Sequence, residues 1–172
     1  MNPEEGTTMA DISVAVASDH AGFDQKRQFV SWMLLTGIDV HDLGPYDEKS
    51  VDYPDYAALV AHEVSTKKAD LGILICGTGI GMAMTANKFP GVRAANVTSA
   101  QFAELAREHN DANLLCLSGR FVDYETNKQI IERFFSTPFA GGRHNDRVRK
   151  ILDLEKGLRG GGTEKTKKNI GN

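Results

Sequence analysis

The chain has 172 residues, 41% of them apolar and 25% charged, with a formal net charge of −3. That length suits one domain with a sizeable core, and the composition is that of an ordinary globular protein. The charge gives no basis for binding nucleic acid or an anionic membrane, no apolar run reaches the length of a membrane span, and two cysteines, Cys76 and Cys116, are too few for a disulfide framework.

Residues 1–10 (MNPEEGTTMA) are acidic and polar, unlike a secretory or mitochondrial leader, so a loose tail and a reduced, cytoplasmic setting are expected. The first strand is 12–17 (ISVAVA), closed by Ser18-Asp19-His20-Ala21-Gly22. A helix over 23–35 follows, with Phe29, Val30, Met33 and Leu34 at helical spacing and Gly37 as its stop. A short strand over 38–42 and a loop over 43–52 lead to Tyr53-Pro54, which opens a helix to about Thr66; Pro54 sits in a first turn, where its missing N–H costs nothing. Residues 71–76 (LGILIC) form a near-continuous apolar run, as in a strand buried on both faces. Gly77-Thr78-Gly79-Ile80-Gly81 then opens a helix over 82–88, ended by Pro90-Gly91. A fourth strand is read at 92–97 (VRAANV), and Ser99 is an N-cap for a helix through Glu108. Residues 109–113 (HNDAN) read as a polar junction, 114–117 as the fifth strand, 124–136 as a helix with Ile130, Ile131, Phe134 and Phe135 on one face, and 145–156 as a last helix. One domain over 11–156 is expected, with 1–10 and the Gly- and Lys-rich 157–172 as disordered tails.

Strands alternating with helices call for an α/β fold: a doubly wound, five-stranded parallel sheet in flavodoxin-like order 2-1-3-4-5, with a C-terminal helix. In that order strands 1 and 3 adjoin and the switch point lies between them, so ligands belong above their carboxyl ends. Those ends carry Asp19-His20 and Cys76-Gly77-Thr78-Gly79, which should therefore meet.

Each candidate has two readings. Cys76 is either a small packing residue or a reactive base beside a Gly-rich turn whose N–H groups face an anion. Asp19 either caps the next helix or binds a hydroxyl; His20 is either solvated or an anion donor. Arg143 and Arg147 share a helix face, as solvated charge or as a two-arginine phosphate clamp. His109 either meets a helix C-terminus or serves as acid/base. Arg120, after the fifth strand, is a third candidate anion ligand. Cys116 is read as core, and His41, His62 and His144 as surface residues. A P-loop fails for want of a lysine after Gly81, and the dinucleotide fingerprint fails because Met82 stands where its third glycine belongs. No metal site is suggested, since no CxxC or Cys/His cluster has zinc spacing.

Taken together, SDHAGF (18–23), DYPDYA (52–57), ICGTGIGMAMTANK (75–88), REHNDANLL (107–115) and GGRHNDRV (141–148) resemble ribose-5-phosphate isomerase type B, the family that also holds the galactose-6-phosphate isomerase subunits. The resemblance covers roughly 11–155 and implies cofactor-free aldose–ketose isomerisation of a sugar phosphate through an enediolate. It makes Cys76 the base, His109 the ring-opening residue and Thr78 a further catalytic group. It sets Asp19, His20, Tyr53, Gly77, Gly79, Ile80, Gly81 and Asn110 around the sugar, and His20, Arg120, Arg143 and Arg147 on the phosphate. It also implies a homodimer, or a dimer of dimers, with sites at the interface. Ribose 5-phosphate is the expected substrate; an allose, galactose or tetrose phosphate, or a non-catalytic flavodoxin-like nucleotide module, is the alternative.

Overall fold

The computed structural model describes residues 12–159. The expected tails 1–10 and 160–172 lie outside the described residues. Eleven elements follow one another: β1 (Ser13–Ser18), α1 (Phe23–Leu35), β2 (Asp39–Asp42), α2 (Tyr53–Ser65), β3 (Leu71–Cys76), α3 (Ile80–Ala86), β4 (Ala94–Asn96), α4 (Ala100–Asn110), β5 (Leu114–Ser118), α5 (Tyr124–Ser136) and α6 (Arg143–Arg159). The helices α1 and α5 and the strand β3 have the bounds the sequence predicts. Helix α4 runs two residues past Glu108, so His109 and Asn110 form its last turn rather than a junction. Helix α6 begins at Arg143, not 145, and continues through 157–159, so the C-terminal tail expected from the sequence starts later than 157.

All strand pairs are parallel, as expected, but the order is β2-β1-β3-β5-β4, not 2-1-3-4-5. The cause is burial. Every residue of β5 (LLCLS) is buried, as an interior strand requires, whereas β4 is three residues long, two half-exposed and the third, Asn96, exposed. The crossover from β3 through α3 passes over β5 to the edge, and α4 returns inward. Right-handed crossovers running outward and then inward put α3 and α4 on opposite faces. The core divides accordingly. Phe29, Met33, Ala103, Ala106, Ile130, Ile131 and Phe134 from α1, α4 and α5 pack with Val14, Val16, Ile73 and Ile75 on one face. On the other, Val60 and Val64 of α2 and Met82 and Ala86 of α3 pack with Ala15, Ala17, Leu74 and Cys116.

The β1–β3 junction is preserved, with Ser18 opposite Ile75. With β5 rather than β4 beside β3, Cys76 gains a second neighbour and faces Ser118 across the ladder.

Candidate functional site

Cys76 closes β3 and is buried, and its Sγ accepts a hydrogen bond from Gly79 N–H at 3.1 Å. The turn that delivers this donor depends on Gly79. Its φ is +80°, a left-handed value, and an added Cβ would collide with the side-chain amide of Asn96. That amide in turn donates to Thr78 O (3.1 Å) and Cys116 O (3.0 Å), tying the turn to β5. Thr78 is exposed, and its Oγ1 accepts from Ile80 N–H at 3.3 Å. Because α3 has seven residues, its dipole is small, and the turn's own N–H groups are the donors that matter. Tyr53, the first residue of α2, lies against this turn: a Cβ on Gly81 would stand 2.6 Å from its ring.

Asp19 and His20 arrive from β1. Asp19 Oδ1 accepts from Ala21 N–H (2.8 Å) and Gly22 N–H (3.1 Å), so its capping role is real, while Oδ2 has no hydrogen-bond partner among the described residues. His20 is exposed, and its Nδ1 takes Val51 N–H at 3.4 Å, which leaves Nε2 as the ring's donor. Arg120 arrives from β5: Gly119 N–H bonds Cys76 O at 2.8 Å and Arg120 N–H bonds Gly77 O at 3.3 Å, which sets the Arg120 stem across Gly77. The guanidinium is exposed and has no carboxylate partner among the described residues. Thus Asp19, His20, Tyr53, Cys76, the 77–81 turn and Arg120 converge at the carboxyl end of the sheet.

The other candidates do not join them within one chain. His109 and Asn110 end α4 at the amino end of β5, and Gly72 N–H bonds Asn113 O there. From Leu114 to Ser118, opposite Cys76, is four strand steps, or about 13 Å at ~3.3 Å each. This second group is compact. Asp111, in a left-handed C-cap at φ 47°, is held by Arg93 (2.8 Å) and Arg107 (3.2 Å). Ala140 N–H bonds Glu108 O at 3.1 Å and brings the start of α6 onto the end of α4. There His109 stacks on His144, and Arg143 Nε lies 3.5 Å from His144 Nε2. His144 is therefore a buried member of this group and not the surface residue expected from sequence. Its pKa is lowered by burial first, then by the neighbouring His109, Arg143 and Arg147, against a smaller upward pull from Glu108. Arg143 and Arg147 are exposed and lack carboxylate partners among the described residues. The run RHNDR held the His144 signal: a histidine one residue from a Gly-Gly turn is well placed to fold back.

His41, also read as surface, is half-buried and paired with Glu63 at 2.7 Å. Burial pushes the Cys116 thiol up, with Cys76 adding to the effect, so Cys116 stays a neutral core residue as the sequence suggested. Among the described residues no three side chains of metal-ligating type are clustered, and no helix is long and apolar enough to cross a membrane.

A thiol, a glycine turn and an arginine without a carboxylate partner among the described residues, gathered at the carboxyl end of a parallel sheet, mark an α/β protein with a polar site of the kind suited to a small anion. The comparisons specify it further. A family model described as Ribose/Galactose Isomerase matches residues 14–151. The chain is 46% identical over 144 residues to the probable ribose-5-phosphate isomerase B of Mycoplasma pneumoniae, covering 83% of this chain and 95% of that one. Ribose-5-phosphate isomerase B of Clostridium thermocellum superposes with a TM-score of 0.84 at 41% identity over 86% of this chain and 99% of that one. The Mycoplasma genitalium enzyme, solved with bound ribulose 5-phosphate, superposes at 0.82 with 46% identity over 84% and 96%. The chain belongs to the ribose/galactose isomerase family.

Proposed function

We propose that this protein interconverts ribose 5-phosphate and ribulose 5-phosphate without a cofactor, as a single domain over 11–156 that works in a homodimer or dimer of dimers. The observation that carries the reading is the division of the candidate residues: a thiol with its donor turn at one end of the sheet, and His109, Asn110, His144, Arg143 and Arg147 at the other. Two copies related by a two-fold axis bring one chain's first group to its partner's second group, completing two sites at once. Exposed apolar side chains on α3, the helix that follows the thiol's turn, namely Ile80 and Met84, support a covering neighbour.

In this reading Arg120 and His20 of one chain, with Arg143 and Arg147 of the other, hold the phosphate, and that remote binding aligns C1 and C2 with Cys76 Sγ. His109 protonates the furanose ring oxygen as the ring opens. The Cys76 thiolate removes the C2 proton, the electron pair forms the C1–C2 double bond of the enediolate, and the Cys76 thiol, whose proton exchanges with solvent while the enediolate persists, delivers a proton to C1. The developing oxyanion lies against N–H groups of the 77–81 turn, each worth about 3 kcal/mol when pre-aimed and dry. The Thr78 hydroxyl, able to donate and accept, carries the proton between O2 and O1. Asp19, Tyr53 and Asn110 bind sugar hydroxyls. The need for a free thiol fits a reducing, cytoplasmic compartment.

The test is turnover in heavy water across four-, five- and six-carbon sugar phosphates. Ribose 5-phosphate should be the best substrate, with deuterium entering the ketose at C1. A preference for a six- or four-carbon phosphate would reassign the substrate, and no turnover of any would overturn the reading.

A further inference from the structure

The turn over 118–122 carries Arg120 at its middle. Its inner side is fixed to β3, where Ser118 Oγ donates to Gly77 O at 2.8 Å and Gly119 N–H to Cys76 O. Three of its carbonyls, those of Ser118, Gly119 and Val122, are gripped by two side-chain amides from different helices. Gln25 of α1 donates through Nε2 to Gly119 O (3.3 Å) and Val122 O (2.9 Å). Asn127 of α5, fully buried, donates through Nδ2 to Ser118 O (2.9 Å), to Val122 O (3.4 Å) and to Gln25 Oε1 (2.8 Å). Asn127 Oδ1 is buried with no partner. An amide that orphans its own acceptor is oriented for its donors; the flipped orientation would set Oδ1 against the carbonyl oxygens of the turn. The fold thus tolerates an unsatisfied atom to keep this turn in one shape.

We propose that Gln25 and Asn127 are positioning residues for Arg120, holding its turn so that the guanidinium stands beside Gly77 and Cys76 before the phosphate arrives. The inference rests on the reading of Arg120 as a phosphate ligand. Neither amide touches the substrate. Without them the turn samples several shapes, and apparent affinity falls with the fraction that is competent, while the chemistry at Cys76 is unchanged.

The test is a double-mutant cycle. Gln25→Leu removes two donors at a half-exposed site, and Arg120→Ala removes the group they are held to place. KM and kcat for ribose 5-phosphate and the inhibition constant of inorganic phosphate are measured for both variants and their combination. Gln25→Leu should raise KM and the phosphate constant about 5–10-fold, with kcat within about two-fold, and should add nothing in the Arg120→Ala background. Values equal to wild type in Gln25→Leu, or full additivity with Arg120→Ala, overturn the inference. Wild-type KM and phosphate inhibition in Arg120→Ala itself overturn the phosphate reading and the inference with it. Asn127→Asp, which sets a carboxylate against three carbonyls, should show the larger KM rise if it folds; if it does not, the Gln25 series decides.

Discussion

The imidazole of His109 lies flat on that of His144, with ring centroids 4.3 Å apart and planes within 7° of parallel. Two rings stacked so closely cannot both carry charge cheaply, and Arg143 and Arg147 add to the repulsion. Burial first, and then these neighbouring charges, keep His144 neutral to lower pH than a solvated histidine.

Because the folded-state pKa of His144 is lowered, the unfolded chain binds the extra proton first. Stability from this residue is whole above the unfolded value of ~6.5 and is lost as pH falls through that value toward the folded one. Melting curves should show the wild type losing more stability between pH 7 and pH 5 than His144→Phe, which keeps a flat ring without the titration. Parallel losses in the two proteins would contradict the assignment.

His41 should behave in the opposite sense. The hydrogen bond to Glu63 raises its pKa, so its contribution is whole below the unfolded value and disappears as pH rises through the folded one. His41→Gln should melt roughly 1–2 °C below wild type at pH 6, the size of a partly exposed ion pair, and the gap should close by pH 9. A gap that persists would mean that packing, not charge, is what His41 supplies.

The proposed division of the site between two subunits predicts complementation. Cys76→Ala and His109→Asn should each be nearly inactive alone. After mixing and re-association, about a quarter of wild-type sites should be restored, since half the dimers are mixed and each has one site with both native groups. No recovery, with subunit exchange verified by mass, would place both residues in one chain's site. His109→Asn should also lose more activity on ribose 5-phosphate than on an open-chain tetrose phosphate, which has no ring to open.

Gly79→Ala should cost more than about 1 kcal/mol in chemical denaturation, because alanine is strained at that φ and its methyl group meets Asn96. The turn shifts in the variant, the donor leaves Cys76 Sγ, and kcat should fall with it. Asn96→Ala should cost less stability in the Gly79→Ala background than in wild type, because there it relieves the clash while losing the same two hydrogen bonds; equal costs in both backgrounds would mean that the left-handed φ and the Leu117 carbonyl, not Asn96, set the penalty.

Strand β3 and its glycine turn were legible because LGILIC followed by GTGIG admits one local geometry, and α1 and α5 because their apolar residues keep helical spacing. The strand order was misread from a general preference, although the discriminating signal was present: LLCL has no polar residue to show to solvent, whereas VRAANV carries Arg93 and Asn96. That misreading also hid how Arg120 reaches Cys76. Asn96, Gln25 and Asn127 were passed over because an isolated amide in sequence gives no hint of which carbonyl it will meet. The separation of His109 from Cys76 follows from α4 running back along the sheet, and a linear reading that grouped chemical residues by motif did not measure it.

Asn87 holds the outer rim of the sheet. Its Nδ2 donates to Ala94 O and its Oδ1 accepts from Ala94 N–H, both at 2.9 Å, so one side chain imitates the strand that would otherwise attach to β4. The opposite rim, β2, reads DVHD and presents charge. With one rim plugged and the other charged, ladder-wise growth into fibres is discouraged at both ends. Any contact between copies would then run through side chains on helices and loops rather than through a shared ladder of backbone hydrogen bonds.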